Sequence, residues 1–134
     1  MAYMNVPKRS ARQEYRLKLR ERIEASPLMA AKFPRLKGLR VTIEFFDAAG
    51  TTKQGEIKCK LNVQFAKSAL WFACSGVDCS GGDFDLSEAL AKAVASRLKV
   101  ATGEVRCEGT RKRGGSEPVA CGTLLRYKLN LSYD

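Results

Sequence analysis

Apolar and polar positions alternate most cleanly over residues 56–65. Ile57, Cys59, Leu61, Val63 and Phe65 fall on one side, and Glu56, Lys58, Lys60, Asn62 and Gln64 on the other. A period of two predicts a strand with one buried and one wet face. The same period begins near Leu39, where Val41, Ile43 and Phe45 alternate with Arg40, Thr42 and Glu44. It returns from Cys121 to Tyr133, where Leu125, Tyr127, Leu129, Leu131 and Tyr133 alternate with Arg126, Lys128, Asn130 and Ser132. Asp47-Ala-Ala-Gly50 is a turn signal between the first two strands. Ala69 to Cys74 reads as a more apolar third strand containing the only tryptophan, Trp71, and Glu104 to Glu108 as a fourth.

Two stretches carry a helical period instead. Leu86, Leu90, Val94 and Leu98 share one side, with Ala89 and Ala93 beside them. Asp85 is placed to cap the amides of Ser87 or Glu88, with Glu88 reaching back. From Lys8 to Ala25, Tyr15, Leu19 and Ile23 recur every four residues and make a stripe too thin to fold alone in water. Ser10 offers a partial N-cap, and Ser26-Pro27 ends the helix. Leu28 to Lys32 adds a turn that Phe33-Pro34 closes.

The order is helix, three strands, helix, two strands. It predicts an α+β fold: a small antiparallel sheet of about five strands with one helix packed on it, preceded by a basic N-terminal helix. Residues 1–37 form a basic helical arm and residues 38–134 an α+β body. The 134 residues suit one domain. No apolar run approaches the roughly 20 residues that span a bilayer, and the N-terminal residues lack the apolar core of a signal peptide. A cytoplasmic location follows as the expectation, with no membrane partner.

Charge sharpens this division. The chain carries a net +10. Residues 1–40 hold eleven Lys/Arg against three Glu, a net of +8; the other 94 hold thirteen against eleven, a net of +2. A basic extension on a near-neutral body points to a polyanionic partner, the alternative being a charge that only solubilises. Arg12, Arg16, Lys18, Arg20 and Arg22 crowd the faces of the first helix beside the apolar stripe. Arg111, Lys112 and Arg113 sit in the polar hairpin loop 110–117. These eight are the candidate nucleic-acid-binding residues. For the hairpin trio, a solvated loop is the equal alternative.

The cysteines change the picture most. Cys74 and Cys79 flank a glycine-containing loop that holds Gly76, Gly81 and Gly82. Cys107 and Cys121 stand at the mouth of the last hairpin, with thirteen residues between them. Each loop draws its own pair together, and if the pairs meet, four thiolates can surround one tetrahedral zinc ion of the closed, structural kind. The spacing lies outside the tight zinc-ribbon pattern. A Cys107–Cys121 disulfide in an exported protein, or four unrelated buried thiols, remain open alternatives. Cys59, mid-strand between Ile57 and Leu61, reads as a core thiol.

Catalytic chemistry finds little support. The chain has no histidine, so the commonest general base and every Ser-His or Cys-His nucleophile pair are excluded. Phosphate-loop and dinucleotide-binding fingerprints are absent. Asp83 and Asp85 are explained by loop polarity and capping, and Trp71 by the core. The sequence therefore predicts a non-enzymatic module with a structural zinc site that binds nucleic acid or a ribonucleoprotein. The alternative is a protein-interaction or regulatory factor that docks its N-terminal helix on a larger complex.

Overall fold

The computed structural model describes residues 11–74, 79–80, 82–111 and 119–134, without the side chains of Ala11, Arg12 and Ser80. Along the chain run α1 (Ala11–Ala25), α2 (Met29–Lys32), β1 (Leu36–Phe46), β2 (Lys53–Leu61), β3 (Trp71–Ala73), β4 (Cys79–Ser80) and β5 (Asp83–Asp85). They are followed by α3 (Ser87–Ala95), β6 (Val100–Arg106), β7 (Thr110–Arg111), β8 (Val119–Ala120) and β9 (Leu124–Tyr133).

The alternating segments build one antiparallel sheet of four strands, ordered β2-β1-β9-β6. Register sets Leu39 opposite Leu131, Val41 opposite Leu129 and Phe45 opposite Leu125. All six are buried. Val105 and Ala101 extend that face onto β6, and Cys59 and Leu61 extend it onto β2, each partly buried against the core. Gly103 stands opposite Tyr127, and a Cβ there would lie 2.4 Å from the Tyr127 hydroxyl. The missing side chain is what lets the ring lie across β6.

Helical and irregular segments cover the apolar face. Met29, Phe33, Leu36, Leu86, Leu90 and Ala93 join the sheet residues in one core. Met29, Phe33 and Leu36 belong to it although they fall within residues 1–37. Asp85 Oδ1 accepts from the Ser87 amide at 2.9 Å, so the expected cap forms. Glu88 instead pairs with Lys92 one turn on, at 3.1 Å.

Three expectations need correction. The sheet has four strands rather than about five, because β3 pairs with β5 in a separate ribbon. The strand expected to run to Phe65 ends at Leu61. There Asn62 turns the chain, its side chain accepting from the Gln64 amide and its carbonyl from Phe65 and Ala66. Val63 is buried from that turn, while Phe65 is 76% exposed. Leu98 does not extend the apolar side of α3: the helix ends at Ala95, Arg97 takes a φ of 51°, and Leu98 is exposed.

Candidate metal centre

Four cysteines meet at one end of the sheet. Cys74 follows β3, Cys79 opens β4, Cys107 follows β6, and Cys121 lies between β8 and β9. All four are buried, and their Sγ atoms lie within 4.8 Å of one another. The short separations are Cys74 to Cys121 at 3.7 Å and Cys79 to Cys107 at 3.5 Å. The nearest partners thus cross between the two local pairs, rather than joining Cys74 to Cys79 or Cys107 to Cys121 as the loops alone implied. None of the five cysteines, all of them among the described residues, forms a disulfide.

Small strands make this convergence. β4 pairs with β7, setting Cys79 opposite Arg111, and β7 pairs with β8. The Cys121 amide donates to Gly109 O at 2.9 Å and the Cys107 amide to Thr123 O at 2.8 Å. Two glycines wall the cluster. A Cβ on Gly82 would fall 2.3 Å from both Cys79 Sγ and Cys107 Sγ, and one on Gly109 would fall 2.6 Å from Cys79 Sγ. Backbone therefore runs where no side chain would fit beside the sulfurs.

The donor set fits a metal ion. Four sulfurs around a tetrahedral centre at about 2.3 Å lie about 3.8 Å apart, and the short separations here are close to that edge. Polar groups also point at the sulfurs. The Gly109 amide donates to Cys107 Sγ at 3.3 Å, and Arg111 Nε donates to Cys121 Sγ at 3.2 Å. Arg111 Nη2 donates to Thr123 Oγ1 at 3.0 Å, and that hydroxyl is 3.2 Å from Cys121 Sγ. Burial opposes ionisation at Cys121, but Thr123, Arg111 and Cys74 outweigh it and bring the thiol down to about 6. Burial pushes Cys79 up to about 11 and Cys107 further still. Arg111 brings a single positive charge, so burial alone keeps Cys79 and Cys107 protonated, and a bound metal ion would let all four sulfurs ionise.

Arg111, expected to reach phosphate, has its guanidinium turned to this centre. Lys112 and Arg113 lie outside the described residues, as does the side chain of Arg12, while Arg16, Lys18, Arg20 and Arg22 are exposed on α1. Gly76 and Gly81 are likewise outside the described residues. Cys59 packs against the core away from the cluster. The residues that sequence patterning missed are Gly109 and Thr123; Gly82 was read within the glycine loop beside Cys79, and Arg111 was read as a phosphate contact rather than a partner of Cys121. A glycine two places after Cys107 was the available signal for a backbone amide reaching a thiolate.

The arm meets the body beside this centre. α1 packs on β4, and the Tyr15 hydroxyl donates to Asp83. Burial first, then the Asp83 bond and charge, push the Tyr15 hydroxyl up to about 12. Burial, with the neighbouring Asp85 charge, also raises the Asp83 carboxyl against the Tyr15 bond and Arg22. Asp83 Oδ2 has no hydrogen-bond partner among the described residues. Tyr15, Leu19 and Ile23 are all half-buried. Among the described residues no helix is long and apolar enough to cross a membrane. No family model, no curated protein and no solved structure matches the chain.

Proposed function

We propose that the protein is a non-enzymatic, cytoplasmic nucleic-acid- or ribonucleoprotein-binding module stapled by one structural zinc ion. The observation that carries the reading is α1: a helix whose apolar stripe is half-buried while Arg16, Lys18, Arg20 and Arg22 stand exposed. Docking by Tyr15 onto Asp83 gives those cations a fixed platform, and a preorganised basic face costs less ordering on binding than a free tail. The half-burial of the stripe favours this reading over docking of the same stripe on a larger complex. Soft thiolate donors favour zinc over magnesium or calcium, and four of them leave no open position for substrate. Arg111 is assigned to the centre rather than to phosphate, because its Nε and Nη2 already donate to Cys121 Sγ and Thr123 Oγ1.

The test replaces Arg16, Lys18, Arg20 and Arg22 by Gln in the full chain and measures binding of labelled oligouridine across a salt series. The dependence of log affinity on log salt should flatten by up to about 3, near 0.7 for each lost phosphate contact on a single strand. Parent affinity and parent slope in this variant would overturn the reading.

A further inference from the structure

The outer face of the four-stranded sheet distributes its charges unevenly. Its rows follow from register. One row runs Glu56, Glu44, Arg126 and Glu104; the next Lys58, Thr42, Lys128 and Thr102; the third Lys60, Arg40, Asn130 and Val100. In the first row every carboxylate has a cation. Lys53 Nζ lies 3.1 Å from Glu44 and 2.6 Å from Glu56, Lys58 lies 3.1 Å from Glu56, and Arg126 lies 2.8 Å from Glu104. In the other two rows, Arg40, Lys60 and Lys128 are exposed and have no carboxylate in ion-pair reach among the described residues.

This segregation works against the sheet's own stability. Arg40 and Lys60 are direct cross-strand partners, and like charges placed opposite each other destabilise a sheet. A face that needed only solubility would pair its charges with opposite ones, as Lys53, Lys58 and Arg126 do for the carboxylates of the first row. Strand spacing of about 4.8 Å and a two-residue repeat of about 6.8 Å put the three free cations in a patch of roughly 7 by 10 Å. A shallow depression joins Arg40 and Lys60, lined also by Thr42, Lys58 and Asn130, with Lys128 outside it. Thr42 and Asn130 add neutral donors at its floor.

We propose that these two rows are a second contact surface, distinct from α1, for the phosphate backbone of a nucleic acid. The identity of the partner rests on the reading of α1 above; the surface itself rests on the sheet. No aromatic side chain stands in these rows, so bases have nothing to stack on and recognition is of phosphate, without sequence preference. An acidic protein face is the poorer match, since such interfaces centre on buried aromatic or Arg anchors in pockets, and the only large apolar side chain in the two rows is Val100, at the margin.

The experiment compares the full-length protein with two variants, Arg40→Gln/Lys60→Gln and Arg16→Gln/Arg20→Gln, for oligouridine binding across a salt series. Both alter exposed side chains, and a thermal melt verifies that each remains folded. The sheet variant should bind more weakly, with the salt slope reduced by about 1.4 for two lost contacts. Amide shifts in labelled parent protein should move at Arg40, Thr42, Lys60 and Asn130 when oligouridine is added. A sheet variant with parent slope and affinity, together with shifts confined to α1, would overturn this surface while leaving the α1 reading intact. Loss in the sheet variant with an unaffected α1 variant would do the reverse. A parent protein that fails to bind oligouridine at low salt would overturn both.

Discussion

Replacing Gly82 by Ala places one methyl group against the centre of the cysteine cluster. The added carbon would sit 2.3 Å from both Cys79 Sγ and Cys107 Sγ. Ordinary contact for such atoms is about 3.5–4.0 Å, so each sulfur must retreat by more than about 1 Å. A thiol sits one bond beyond Cβ and moves far only by changing rotamer, which turns it out of the cluster. Overpacking alone costs about 1–3 kcal/mol. At roughly 3–4 °C per kcal/mol for a chain of this size, the melting temperature falls by about 3–12 °C. Loss of a coupled metal adds to that fall, because metal binding free energy is folding free energy in such sites. Gly55→Ala is the control: its Cβ would meet Phe45 Cδ2 at 3.7 Å, an ordinary contact, so melting should hardly change. Elemental analysis and melting of both variants check the reasoning. Gly82→Ala protein with a full metal complement and the parent melting temperature would refute it.

Other outcomes follow from the same geometry. Protein produced in a reducing cytosol should contain about one zinc per chain; Cys107→Ser or Cys121→Ser should release it and lower the melting temperature, while Cys59→Ser retains the metal. Tyr15→Phe removes the donor to Asp83 and should cost about 1–2 kcal/mol, read as faster hydrogen exchange in α1. Because the folded state holds the Asp83 proton more tightly than the unfolded chain, its contribution is present below the ordinary carboxyl range and is lost as pH rises through the raised value. Asp83→Asn should therefore raise stability at neutral pH relative to acid, as urea midpoints across pH will show. Phe65→Ser should change stability by less than about 0.5 kcal/mol, since the ring is exposed.

The alternation of β1 and β9 was legible because both strands are central, with one wet face and one dry, so each side chain's polarity reports its side. β2 misled at its end. Val63 and Phe65 continue the period in sequence, but Asn62 binds its own backbone and turns the chain, a local competition that apolar counting does not register. Leu98 misled likewise, since Arg97 in the left-handed region stops α3 without a glycine to announce it. The four cysteines were recognisable as a set. Which sulfurs lie closest was not, because two-residue strands such as β4, β7 and β8 are too short to carry a period. Arg111 read as a loop cation because nothing in its neighbours says that its partner is Cys121.

The strand order has a consequence for synthesis on the ribosome. β1 and β2 can close as a hairpin early, but β1 needs β9 on its other side, and Phe46 and Leu124 are far apart in the chain. At about 5–20 residues per second, the hairpin waits several seconds with the free edge of β1 and the row Leu39, Val41, Ile43 and Phe45 uncovered. An exposed edge beside an apolar face is a template for pairing with other chains. The growing polypeptide is therefore most vulnerable between the emergence of β2 and that of β9, and slowing elongation through β9 codons should increase aggregation of the nascent chain more than slowing it through α1.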